Sequence, residues 1–267
     1  MSSGVLYIGF PIWRGSGGVG YAMREALRRG FDFVEIDLET LKPGGVRGSR
    51  IRLGYHAPYT IPLSHPYLLR DVRRYLSELV VFAERTGAEY INIHMNHPTY
   101  YRLEKLNNSL RREAVKTIKH LRRASSRTVI TLENPPRGDY SSCEKLVKAA
   151  EEAGVKICLD VGHLAYNMLK QADVGKTTRE IRRCIKQSRS LLFLLHLHNV
   201  RQNRDGETED HMLEGDLNLV EIAAAAVEVG CRYILLETFF KGGSAKREVT
   251  LEDACRLMQR IKKELLA

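Results

Sequence analysis

Short runs rich in aliphatic and β-branched residues alternate along this chain with longer stretches in which apolar residues return every three or four positions. The short runs predict eight strands, over Val5–Phe10, Phe33–Asp37, Ile51–His56, Tyr90–His94, Thr128–Glu133, Lys156–Asp160, Leu191–His198 and Tyr233–Glu237. The longer stretches predict helices over Tyr21–Arg29, Tyr67–Thr86, Leu103–Ser125, Cys143–Ala153, Thr178–Ser188, Leu217–Val229 and Thr250–Leu266. Strands interleaved with amphipathic helices are the mark of βαβ units and a parallel sheet. Gly30, Gly87, Gly154 and Gly230 each follow a helix and precede a strand, where a C-cap is expected. The series predicts an α/β fold, a single (β/α)8 TIM barrel over residues 1–267, undivided by linker or low-complexity sequence. One unit is short. Only LETLKPGGVRGSR separates the second and third strands, too rich in Gly and Pro for a full helix. The second outer helix is therefore expected to be absent and the segment to form a mobile loop at the barrel mouth.

The strand ends carry the chemistry. Six strand ends supply candidate metal ligands: His56, His94, Glu133, Asp160, His196 (closing the run LLFLLH within the seventh strand) and Glu237. With only 9 His and 32 Asp plus Glu among 267 residues, composition does not produce that series by accident. One histidine at a strand end is most often a hydrogen-bonded structural group, and one carboxylate a solvated rim residue. Six together, at the end of a barrel where active sites sit, point to a metal centre, because buried charges need partners. Imidazole and carboxylate without thiolate suit Zn²⁺, and also Mn²⁺ or Fe²⁺, better than Mg²⁺. Further donors follow in the loops: His163 three residues after Asp160, with Gly162 between them to allow a tight turn, and Glu209, Asp210 and His211 after the seventh strand. His198 shares a strand face with His196 and can serve as ligand, as partner to a ligand, or as substrate contact.

Composition narrows the class. No apolar run approaches the roughly 18 residues of a membrane span, and no basic n-region precedes an apolar stretch at MSSGVLYIGF, so a cytoplasmic protein with no membrane partner and no obligatory protein partner is expected. Five scattered cysteines (Cys143, Cys158, Cys184, Cys231 and Cys255) without CxxC spacing read as small apolar fillers rather than as a disulfide framework. A net charge of +10 favours a polyanionic partner, although the basic residues are spread over many helices as on a charge-rich surface. Gly175-Lys176-Thr177 lacks the earlier glycine of a phosphate loop, so Thr177 or Thr178 is expected to cap a helix. Tyr100 and Tyr101 could stack on bases or sugars, or be ordinary loop tyrosines.

The order HAPY, a strand-end His, EN, DxGH, HLH, a loop His and a final ET resembles the xylose isomerase-like TIM-barrel superfamily, from Tyr7 to about Phe239. Within it the motifs are most similar to endonuclease IV (AP endonuclease family 2). That resemblance implies hydrolysis of DNA at abasic sites through two or three zinc ions. It implies nine ligands: His56 in HAPYTIPLSHP, His94 in INIHMNHP, the bridging Glu133 in TLENPP, Asp160 and His163, His196, the pair Glu209 and His211, and Glu237. Tyr59 matches the tyrosine of a loop that pushes into DNA, and Gly15–Val19 a Gly-rich loop after the first strand. The chain departs from the pattern at Glu209, where the family has Asp unless Asp210 serves, at HMNHP, where His97 is either a contact or a surface residue, and at MLEGDLNL. GFDFVEIDLE is closer to the sugar isomerase and epimerase branches, with Glu35 or Glu39 able to reach the pocket. Those branches imply a rival: one Mn²⁺ or similar ion on Glu133, Asp160, His196 and Glu237, with Glu133 and Glu237 as catalytic groups moving a proton on a small sugar. A non-catalytic metal or sugar-phosphate binding protein is a third reading.

Overall fold

A computed structural model of the chain describes residues 5–13, 16–41, 46, 50–100, 102–169, 173–202, 208–242 and 247–266. Its strands are β1 (Tyr7–Ile12), β2 (Phe33–Asp37), β3 (Arg52–His56), β4 (Tyr90–His94), β5 (Val129–Glu133), β6 (Lys156–Asp160), β7 (Leu192–His196), β8 (Asn199–Gln202), β9 (Thr208–Met212) and β10 (Tyr233–Leu235). The helices are α1 (Val19–Arg28), α2 (Leu69–Thr86), α3 (Glu104–Ala124), α4 (Cys143–Ala153), α5 (Val161–Met168), α6 (Val174–Gln187), α7 (Leu219–Glu228) and α8 (Leu251–Leu266). Eight strands close into a parallel barrel in the order β1-β10-β7-β6-β5-β4-β3-β2, while β8 and β9 pair with each other outside it. The α/β barrel predicted from periodicity is the fold.

Among the described residues no helix lies between β2 and β3, as the Gly- and Pro-rich spacer requires. Residues 42–45 and 47–49, where the mobile loop was expected, lie outside the described residues. All four interhelical glycines adopt positive φ, the conformation that ends a helix at low cost.

Several expectations are corrected. The seventh strand stops at His196, and His198 already lies on the way to the β8–β9 pair. The last barrel strand stops at Leu235, leaving Glu237 just beyond it with its N–H on the Leu197 carbonyl. Helix α5, absent from the periodicity reading, starts at once after β6 because Asp160 caps it, accepting the His163 N–H at 2.6 Å. The cap of α6 is Asp173, which accepts the Lys176 N–H at 2.8 Å, and not Thr177 or Thr178; the Thr177 hydroxyl bonds back to the Asp173 carbonyl instead. Cys143 and Cys184 are not fillers but a disulfide joining α4 to α6, with Cα atoms 5.7 Å apart. Cys158, Cys231 and Cys255 are free and buried, as fillers should be.

Side chains inside the barrel form a plug of Phe33, Tyr90, Cys158, Leu194, Tyr233 and Leu235, and the larger core lies between strands and helices. Phe33, Tyr90 and Tyr233 meet edge to face. Cys158 precedes Asp160 by two residues on the same strand face, so the plug is the floor on which the strand-end donors stand. No helix among the described residues is long and apolar enough to cross a membrane.

Candidate metal centre

Parallel register brings the donors to one level: His94 pairs with Glu133, and Asp160 with His196. Glu133, wholly buried at the end of β5, is the hub. His56 Nε2 lies 3.2 Å from its Oε2, and His94 Nε2 lies 3.1 Å from its Oε1. Asn92 donates to Oε2 from within β4 and holds the carboxylate in orientation. His56 donates Nδ1–H to the Ala57 carbonyl at 2.8 Å, which leaves its Nε2 directed at Glu133.

A second group surrounds His196. Its Nδ1 lies 3.0 Å from Glu237, 3.5 Å from Glu133 and 3.9 Å from Asp160, and its Nε2 lies 3.2 Å from Glu35. The EN motif positions Asp160 through Asn134, whose side chain bonds both the N–H and the carbonyl of Asp160.

The third group lies toward the β8–β9 pair. His163 Nδ1 donates to the Asn134 carbonyl at 3.0 Å. His211, at φ 54, lies 4.0 Å from Glu237 through Nε2 and 3.5 Å from Asp210 through Nδ1. Asp210 rather than Glu209 lines the central cavity beside His211, so the loop register favours Asp210. His198 is wholly buried and absent from the cavity wall, which removes it as a substrate contact. It faces Asp160 at 3.0 Å instead, and its ring stacks on that of His211 with centroids 4.3 Å apart. Gly162 is helical rather than a special turn: it has no side chain because a Cβ there would meet the His198 ring at 1.8 Å.

The donors hold one another's charge. Burial works to raise the Glu133 carboxyl, but the charges of His94 and His196 reverse this and hold it well below the usual carboxylate range. Burial would depress His56, yet its bond to Glu133 and that carboxylate's charge keep it at about 9. His163 stands at about 10, burial again opposed by the charges of Asp160 and Glu133. Burial prevails at His94, which is lowered. The hydrogen bond with His211 draws Asp210 down to about 2 against its partial burial.

These residues fit divalent cations. Glu133 Oε1, His196 Nδ1 and Glu237 Oε2 are buried without a hydrogen-bond partner, and His196 Nδ1 lies 3.0 Å from Glu237 Oε2 and 3.5 Å from the other Glu133 oxygen. Four carboxylates lie within 3.9 Å of the His196 ring, which can carry at most one positive charge. Such a cluster is costly unless cations join it. Donor atoms of His56–His94–Glu133, of Glu133–Asp160–His163 and of His163–His198–His211 each lie within 4.8 Å of one another, giving room for more than one ion.

Above the donors opens a cavity of about 370 Å³, walled by Trp13, Phe239, Tyr59 and Pro136 and floored by Glu35, His56, His94 and Glu237. Trp13 packs on Phe239 at 5.0 Å, and Phe239 stacks on His211 at 4.9 Å. Tyr59 is 54% exposed at the mouth, with its N–H on Glu39 and its carbonyl on Asn96. His97 does not line the cavity: its side chain is 3% exposed, with its Nε2 3.5 Å from Asp139. Tyr100 binds Asn107 through its backbone away from the cavity, and Tyr101 lies outside the described residues. The strand-end pattern does not single out Glu35, although GFDFVEIDLE marks it, and it passes over Asn92, Asn134 and the aromatic wall.

A sequence profile of the family described as xylose isomerase-like TIM barrel matches residues 21–261. No curated protein is similar enough in sequence to count as a relative. Among solved structures, endonuclease IV from Thermus thermophilus superposes with a TM-score of 0.67 at 22% identity, covering 97% of this chain and 99% of that one. An L-ribulose 3-epimerase gives 0.66 at 14% identity, covering 98% of each chain. A xylose isomerase-like TIM barrel protein from Mycobacterium smegmatis in complex with magnesium gives 0.66 at 14%, covering 97% of this chain and 96% of that one. At such identities the likeness is one of fold.

Proposed function

The chain belongs to the xylose isomerase-like TIM barrel family, and within it we propose that this protein is a metal-dependent phosphodiesterase that hydrolyses DNA at abasic sites. One observation carries the reading: His56 and His94 take the two oxygens of Glu133, at 3.2 and 3.1 Å. Around a single ion held by Glu133, Asp160, His196 and Glu237, neither histidine has a ligand's task. With several ions, Glu133 would offer its two oxygens to more than one of them and both histidines would be needed as ligands. Two or three Zn²⁺ ions, when bound, supply Lewis-acid activation of water and charge neutralisation at a phosphate.

The chain's own residues supply the rest. Glu133 and Glu237 would be among the residues that hold the ions, with Asn92 fixing the Glu133 carboxylate. His163 and His211 would hold a third ion, with Asp210, which lines the cavity beside His211, as its carboxylate in place of Glu209. Trp13 and Phe239 exclude water on one side of the cavity and give an apolar wall to an extrahelical sugar. Tyr59 stands half-exposed at the mouth to meet the duplex, and the net charge of +10 suits a polyanion.

The test is the metal content of protein purified without chelator, together with incubation on an oligonucleotide carrying one abasic site. Two or three ions per chain and a cut at the lesion are expected. Wild type that leaves such DNA whole in excess Zn²⁺ rejects the reading. A second reading, a sugar isomerase or epimerase using one Mn²⁺-like ion, draws on Glu35 and on a cavity of about 370 Å³, the size of a small ligand. There Glu133 and Glu237 would move a proton beside a carbonyl. One ion per chain with turnover of a ketose selects it.

A further inference from the structure

Of the four carboxylates around His196, three belong to the donor set already described. The fourth, Glu35, comes from β2 and meets the other side of the ring, only 3% exposed. The two ring nitrogens differ sharply. Nδ1 is buried, makes no hydrogen bond, and lies 3.0 to 3.9 Å from Glu237, Glu133 and Asp160. With a cation among those three carboxylates, Nδ1 would be the nitrogen that faces it with a lone pair. A neutral imidazole has one N–H, which then sits on Nε2, and the acceptor there is Glu35 Oε2 at 3.2 Å.

We propose that Glu35 is a positioning residue of the metal centre, one that fixes His196 as its Nε2–H tautomer and aims Nδ1 at the ion shared with Glu133, Asp160 and Glu237. Glu35 also raises the cluster's formal charge to −4, which two divalent ions balance and one does not. The inference rests on the metal-centre part of the preceding reading and is independent of the DNA substrate.

Zn²⁺ titration against a chromogenic chelator and the visible spectrum of Co²⁺-loaded protein test it in wild type, Glu35→Ala and Glu35→Gln, with no substrate present. In Glu35→Ala the ion at His196 is expected to bind about 10–100-fold more weakly, the usual effect of removing such a partner. The ion at His56 and His94 is retained, and the Co²⁺ bands of the weakened site shift. Glu35→Gln, whose amide oxygen still accepts Nε2–H, restores part of the affinity. Unchanged affinity and bands in Glu35→Ala overturn the proposal. Nitrogen-15 NMR of Zn²⁺-loaded wild type decides even where the alanine variant does not fold: His196 bound through Nδ1 with a protonated Nε2 supports it, and binding through Nε2 overturns it. Failure to cut abasic DNA sinks the nuclease reading and leaves each of these outcomes readable.

Discussion

The backbone N–H of His211 ends on Nδ1 of His198, 2.9 Å away. The Asn199 carbonyl lies 3.2 Å from the same nitrogen, but an N–H can be received only by a lone pair. Nδ1 is thus unprotonated, and Nε2–H points at Asp160. His198 ties a donor on the barrel floor to a donor on the β8–β9 pair and helps to hold His211 at its positive φ.

Replacing His198 by Ala is accordingly expected to weaken the ion at His163 and His211 about 10–100-fold, while Asn, which can both donate and accept, keeps more of it. Chelator competition on the purified variants measures this. Equal affinity in the alanine variant would show that His211 needs no such tie.

His94→Ala removes one of the two imidazoles on Glu133. Loss of one ion per chain is expected, with cleavage of abasic DNA falling roughly a thousandfold, about 4 kcal/mol of transition-state stabilisation. Elemental analysis and kcat/KM report the two effects separately. A variant that keeps both its ion count and its rate contradicts the multi-ion centre.

Metal uptake should release protons. In the metal-free protein His56 titrates at about 9 and His163 at about 10, against an ordinary 6.5. Their folded values are raised, so the stability they lend the metal-free protein is complete below pH 6.5 and is lost as pH rises through 9 to 10. A cation must displace the same protons, so affinity is expected to climb from pH 6.5 to about 9. Titration calorimetry in buffers of differing ionisation heat reads the number released. Zero protons at pH 7 contradicts this account.

The disulfide between α4 and α6 closes a loop of 41 residues in sequence. On the chain-entropy account it contributes roughly 4 kcal/mol. Reduction, or Cys143→Ser, should lower the melting temperature by several degrees with the metal content unchanged. A melting curve insensitive to reductant would mean that the helices are held without it.

The barrel was legible because most βα units repeat the same local signals: a short apolar run, an amphipathic stretch and, after four of the helices, a glycine. The donors at strand ends were legible for a related reason, since position along a strand fixes height in the barrel. What escaped depends on contacts between distant segments. Cys143 and Cys184 show no spacing that marks them as partners. Glu35 was marked as able to reach the pocket, but its pairing with His196, across 161 residues, was not. Helix α5 was hidden because Asp160 caps a helix while also serving as a donor, two uses of one carboxylate that a periodicity count does not separate.

The β8–β9 pair shares no ladder with the barrel, yet it carries Asp210 and His211 over the pocket. Barrel closure therefore places no demand on its length or register, and donors can be gained or lost there in small evolutionary steps while the floor around Glu133 keeps its shape.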